Sequence, residues 1–228
     1  MQPLHHVLRS FAAFPVRRLI LAVLAVLTLA GSACSRTPLV ASAPTLTATP
    51  AAKTLGEFTL IEDTDFLMAP IRDATDSASS YIDYERGGYW GPVNNYVFLD
   101  RRTQTFQQLL PTNDYVIARA YALEPPSAGT ETPTILGWLY CVVKADTDGD
   151  NELSLTDKII LSLSDVSGAR YTEVLIDVDD VYGRTLSNSS TLLIIYRKGE
   201  HKYMTSIDLS SYAVVATFEL AFLGPEVK

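Results

Sequence analysis

Six oxygen-bearing residues recur through Asp146-Thr-Asp148-Gly-Asp150-Asn-Glu152-Leu-Ser154-Leu-Thr-Asp157, at places 1, 3, 5, 7, 9 and 12 of a twelve-residue loop. Alternate residues of a tight loop can converge on one centre, so this spacing suits a hard cation that takes roughly six to eight oxygens. Asp146, Asp148 and Asp150 would supply the first carboxylates, Glu152 its backbone carbonyl, Ser154 its hydroxyl or a held water, and Asp157 the closing carboxylate. Leu153, at place 8, would face the core. The expected ion is Ca2+, with a dissociation constant of roughly 10⁻⁴ to 10⁻³ M, which makes it a structural staple and not a sensor. The competing reading is an acidic turn without an ion, since Asp and Gly are default turn residues. Against it, carboxylates crowded into so short a loop repel one another unless a cation sits between them.

Other chemistry is sparse. Cys141 lies in the apolar run Trp138-Leu-Tyr-Cys-Val-Val143, the setting of a buried, inert thiol. Past the first 33 residues the single histidine is His201, in the turn-like Lys198-Gly-Glu-His-Lys202, so zinc sites and Ser/His/acid triads lack ligands and a base. Asp177-Val-Asp179 places two carboxylates on one strand face, a spacing open to a glycosidase pair or a second ion. The segment Tyr81-Ile-Asp-Tyr84-Glu-Arg-Gly-Gly-Tyr89-Trp90 is dense in aromatics and could present a sugar platform or pack between sheets. No phosphate-cradling glycine loop is present. The expectation is a non-enzymatic protein, with a carbohydrate-binding or carbohydrate-active protein using Tyr81 to Trp90 as the alternative.

The acidic loop resembles EF-hand loops and, in closing on Asp157, those of dockerin modules. Place 6 holds Asn151 where such loops usually have glycine, and Asn is one of the few residues that tolerate the left-handed turn required there. Dockerins carry two such loops, each leading into a helix that helps to bind a cohesin. This chain has one copy, preceded by the strand-like Trp138 to Lys144, so cohesin binding is not carried over.

Residues 1–33 bear Arg9, Arg17 and Arg18 and no acid, then an apolar run from Leu19 to Leu29 and the small patch Ala30-Gly-Ser-Ala33. This is the layout of a signal peptide, too short to span a bilayer. The junction Gly31-Ser-Ala-Cys34 resembles the lipobox of bacterial lipoproteins. That resemblance implies cleavage before Cys34, acylation of Cys34 and, with Ser35 following, sorting to the outer membrane of the cell envelope. Residues 34–54 are rich in Ser, Thr, Pro and Ala and read as a disordered tether. Without the leader, 15 bases face 26 acids, a net charge of −11. Nucleic acid is therefore disfavoured as a partner, which leaves the membrane through the lipid and an unidentified envelope protein or glycan.

Residues 55–228 must position these groups. Apolar stretches rich in β-branched and aromatic residues alternate with turn clusters, as in Tyr96 to Leu99, Ile135 to Val143, Ile159 to Leu163, Thr191 to Tyr196 and Tyr212 to Leu220. Ile135 to Val143 and Leu192 to Tyr196 are apolar almost throughout, which predicts strands covered on both faces. The segments 97–109, 161–175 and 206–220 each read as strand, polar turn, strand, with Phe106, Tyr171 and Ala216 as matching positions. They resemble the outer hairpins of WD40-like propeller blades. The expected fold is all-β, an antiparallel meander forming a small β-propeller-like domain of four blades, with a two-sheet β-sandwich as the alternative.

Overall fold

The computed structural model describes residues 52–74, 81–83, 88–125 and 134–221, with backbone alone at 81–83 and 88–91. The leader, Cys34 and the tether up to residue 51 lie outside the described residues.

In chain order the strands are β1 (Lys53–Leu55), β2 (Thr59–Leu60), β3 (Phe66–Asp73), β4 (Tyr81–Asp83) and β5 (Gly88–Val93). Next come β6 (Asn95–Asp100), β7 (Thr105–Gln108), β8 (Val116–Leu123), β9 (Gly137–Val143) and β10 (Ile159–Ser164). The last five are β11 (Thr172–Val178), β12 (Asp180–Asn188), β13 (Thr191–Lys198), β14 (His201–Asp208) and β15 (Ala213–Glu219). The domain thus opens just ahead of Leu55, with Lys53 and Thr54 paired to Asp73 and Arg72.

All pairings among the described residues are antiparallel, and they form three sheets. The first holds β1-β3-β6-β7 with β2 on β3, the second is β11-β10-β9-β8-β5-β4, and the third is the meander β12-β13-β14-β15. The all-β antiparallel expectation holds, but four equal blades and a two-sheet sandwich are both replaced by three unequal sheets. The middle sheet grows to six strands because the chain inserts β6 and β7 into the first sheet between β5 and β8.

The middle sheet is the core. Every residue of β9 is buried. Strand alternation divides its side chains: Trp138, Tyr140 and Val142 pack with Met68, Tyr96 and Phe98 of the first sheet. Leu139 and Cys141 pack with Leu192, Ile194 and Ile207 of the third. The continuous apolar run of β9 is thus explained by a covering sheet on each face. Each fully buried large apolar side chain contributes about 1.5–3 kcal/mol by leaving water.

β13 departs from the same expectation. Leu192, Ile194 and Tyr196 are buried, whereas Ile195 is 36% exposed. The third sheet has a neighbour on one face among the described residues, and the apolar residues on its other face remain in contact with solvent.

The three repeated segments are the terminal hairpins β6–β7, β10–β11 and β14–β15, one per sheet. An aspartate closes each turn. Asp100 Oδ1 accepts from the backbone N–H of Arg102 and Thr103. Asp165 Oδ1 accepts from those of Ser167 and Ala169, and Asp208 Oδ2 from that of Ser211 and both serine hydroxyls. The chain then passes through a left-handed residue, Gln104 (φ 58°), Gly168 (φ 81°) or Tyr212 (φ 59°), to start the return strand. These carboxylates were not apparent as a repeated feature in the sequence, although an acid at the end of each outgoing strand was the available signal.

Candidate metal centre

The acidic loop leaves β9 at Val143 and re-enters β10 at Ile159, and these two residues are paired across the ladder. Both strands are central and buried, so the root of the loop is fixed. Its base is tied further by Lys158, whose N–H donates to Thr147 Oγ1 at 2.8 Å and whose ammonium pairs with Asp179.

Asp157 is the hub. It is 1% exposed, and both of its carboxylate oxygens accept hydrogen bonds. Oδ1 accepts from the backbone N–H of Thr147, from Thr147 Oγ1 at 3.1 Å and from Asp148 N–H at 3.3 Å. Oδ2 accepts from Ser154 N–H at 2.9 Å. The backbone donors of Thr147 and Ser154 hold this carboxyl below the usual carboxylate range, because they stabilise the ionised form.

Asp146 gathers the turn from the other side, with Oδ1 accepting from Gly149 N–H at 2.6 Å and Oδ2 from Asn151 N–H at 2.8 Å. This fold-back passes through Gly149 (φ 83°) and Asn151 (φ 67°), so Asn151 takes the left-handed conformation expected at place 6. Asp148 Oδ1 accepts from Asp150 N–H at 3.2 Å, and Oδ2 accepts from Thr156 Oγ1 at 2.5 Å.

One carboxylate oxygen from each of Asp146, Asp148 and Asp157 lies within 4.8 Å of the other two. This arrangement could hold a metal ion. The donors are carboxylate oxygens, so the set fits a hard cation. Asp150 and Glu152 are not part of the converging group. Asp150 Oδ1 instead caps Glu152 N–H at 2.8 Å, and the Ser154 hydroxyl is bonded to Thr156 Oγ1 at 2.7 Å. Of the six residues singled out by spacing, the structure brings three carboxylates together. The hydroxyls of Thr147 and Thr156, which the spacing argument overlooked, orient two of them. No helix follows the loop: the chain goes from a turn at residues 155–156 into β10.

The remaining candidates separate cleanly. Asp179 is held by Lys158, by Arg197 at 3.8 Å and by Gly199 N–H at 2.6 Å. Asp177 is exposed on a left-handed residue (φ 58°) and pairs with Lys198 at 3.4 Å. Asp177 falls where β11 shifts register against β10 and Asp179 lies between β11 and β12, so the two do not share one strand face, and both carboxylates are occupied by cations. Cys141 is buried, and burial pushes its thiol up to about 12. His201 is exposed beside the turn, with Nδ1 2.7 Å from Glu219 Oε1. The aromatic segment forms the backbone hairpin β4–β5 at the rim of the middle sheet, paired through β5 to β8. Tyr84 lies outside the described residues.

No protein-family model matches this chain, and no curated protein does. Among solved structures it is similar to a chain described as the beta-propeller domain of the Trilobed protease from Pyrococcus furiosus, at 11% identity and a TM-score of 0.34. The match covers 73% of this chain and 43% of that one, so this chain spans less than half of that neighbour's length.

Proposed function

We propose that the loop from Asp146 to Asp157 binds one calcium ion, which fastens the β9–β10 hairpin of a non-enzymatic binding or scaffolding domain on the cell envelope. The observation that carries this reading is the convergence of the Asp146, Asp148 and Asp157 carboxylates. Three like charges held close together favour a divalent cation among them. Because Asp157 and Asp146 also organise the loop through backbone N–H groups, the ion adds to a loop that has its own hydrogen bonds. It acts as a staple with weak affinity, and water and the Glu152 carbonyl complete its shell.

The envelope assignment is supported by the basic, then apolar, then small-residue order of residues 1–33 and by Cys34 directly after Gly31-Ser-Ala33. In this reading acylated Cys34 holds the domain on the outer membrane through residues 35–52. Calorimetric titration of the purified domain tests the ion: one equivalent of calcium should bind, magnesium should bind more weakly, and Asp146→Asn with Asp148→Asn should remove the heat. Equal binding of calcium by parent and variant rejects the site. Mass spectrometry of the membrane-extracted protein tests the anchor, with an unmodified Cys34 rejecting it.

A further inference from the structure

The outer face of the third sheet carries a self-complementary pattern. On β14, Tyr203, Thr205 and Ile207 turn to the core, Thr205 and Ile207 being fully buried, so strand alternation turns Lys202, Met204, Ser206 and Asp208 outward. Two outward rows then cross the sheet in register: Ile195, Met204 and Phe218 in one, Leu193, Ser206 and Ala216 in the next. Phe218 is 57% exposed and Ile195 36%. Among the described residues no element covers these rows.

The charges on this face are balanced and sorted along it. Asp180, Arg197 and Lys202 stand side by side at one end, and Asp208 stands at the other end of β14. Two acids and two bases cancel here, in a chain whose net charge is −8, so a second copy would meet no net repulsion at this face. Lys202 and Asp208 have no ion-pair partner among the described residues. The Lys202 ammonium lies 5.7 Å from the centre of the Tyr182 ring. Asp208 uses Oδ2 for the Ser210 and Ser211 groups, and its Oδ1 accepts no hydrogen bond among the described residues.

We propose that this face is the interface of a symmetric dimer of the chain, formed by stacking two third sheets about a two-fold axis that runs across the strands over Thr205. The rotation reverses β14 on its copy, so Lys202 faces the partner's Asp208 and Asp208 faces the partner's Lys202. It also exchanges the two apolar rows, which sets Phe218 on the partner's Ala216 and Ile195 on the partner's Leu193, large against small. Packed sheets lie about 10 Å apart, a gap that a lysine and an aspartate close from its two sides. Four strands about 4.8 Å apart, with eight residues in β13 and β14 at ~3.4 Å each, give a face of roughly 19 by 27 Å. Two such faces bury roughly 1,000 Å², the size of a weak, reversible contact.

Sedimentation velocity of the full-length protein over a concentration series is the test. The parent should show reversible monomer–dimer exchange without larger species, because an isologous contact closes on itself. Lys202→Asp and Asp208→Lys should each weaken the dimer at least about tenfold, since the pair occurs twice and each reversal opposes like charges. An equimolar mixture of the two variants should restore it, because the mixed dimer has one native pair and one fully reversed pair. Phe218→Ser should weaken it without such a rescue. Circular dichroism checks the fold of Asp208→Lys, which loses its turn contacts; Lys202→Asp touches no hydrogen bond among the described residues and carries the test if that variant is misfolded. Association through residues 1–33 would be indifferent to all three substitutions. A parent that stays monomeric, a dimer unmoved by Lys202→Asp and Phe218→Ser, or a mixture of folded variants that fails to recover would each overturn the proposal, the first leaving the face to another occupant such as residues 222–228.

Discussion

Calcium should raise the melting temperature of this protein by an amount that the geometry of the loop bounds. Three carboxylates meet in a solvent-facing loop of which only Asp157 is buried, a donor set of the weak, extracellular kind with a dissociation constant of roughly 10⁻⁴ to 10⁻³ M. At ~10 mM free calcium, binding to the folded state alone stabilises it by RT ln(1 + [Ca]/Kd), about 1.4 to 2.7 kcal/mol. For a domain of this size each kcal/mol moves the midpoint by about 2–4 °C, so the rise should be roughly 3 to 11 °C. Differential scanning calorimetry in EDTA and in excess calcium measures it. The decisive variant is Asp146→Asn with Asp148→Asn. Its amide oxygens can still accept one bond each from the Gly149 or Asn151 N–H and from the Asp150 N–H. It should therefore lose only about 1 kcal/mol in EDTA while losing the whole calcium increment. A parent protein indifferent to calcium, or a variant that keeps the increment, would refute the reasoning.

Leu139→Ala should cost about 2–5 kcal/mol in urea unfolding because its side chain is fully buried between sheets, whereas Ile195→Ala on the solvent face should stay within about 0.5 kcal/mol. Gly168→Ala would put a methyl 2.3 Å from Phe98 Cδ2 at φ +81° and should cost at least about 2 kcal/mol; Gly183, with open space around a new Cβ, should accept alanine without loss in the same melts. Asp208, held at about 2 against an ordinary 3.8 by the Ser210 and Ser211 hydroxyls, binds its proton more readily in the unfolded chain. Its stabilisation is present above about pH 4 and lost as pH falls towards 2, so the urea midpoint should drop over that window and drop less in Asp208→Asn. Cys141, with its thiol pushed up to about 12, should react with a disulfide reagent only at the rate of global unfolding, which stopped-flow absorbance can follow.

What the sequence determined by itself was local. The spacing of Asp146, Asp148 and Asp157, and the need for Asn151 to turn left-handed, follow from backbone geometry over a dozen residues. The hairpins at 97–109, 161–175 and 206–220 were legible for the same reason, since β-branched runs on either side of a polar turn can do little else. The tertiary structure decided everything that depended on which strands became neighbours. Leu139 and Ile195 sit in equally apolar runs, and one is buried only because a third sheet covers β9 while nothing described covers the outer face of β13. Asp150 left the converging carboxylates because a nearer partner, Glu152 N–H, was available, and the Ser154 hydroxyl is bonded to Thr156 Oγ1 once the loop closes on Asp157. Arg184 and Tyr121 meet across two sheets, and no spacing along the chain encodes that contact. Sequence separation sets which groups can meet through a turn, whereas contacts across sheets arise from the summed burial of whole strands, which no single segment reveals.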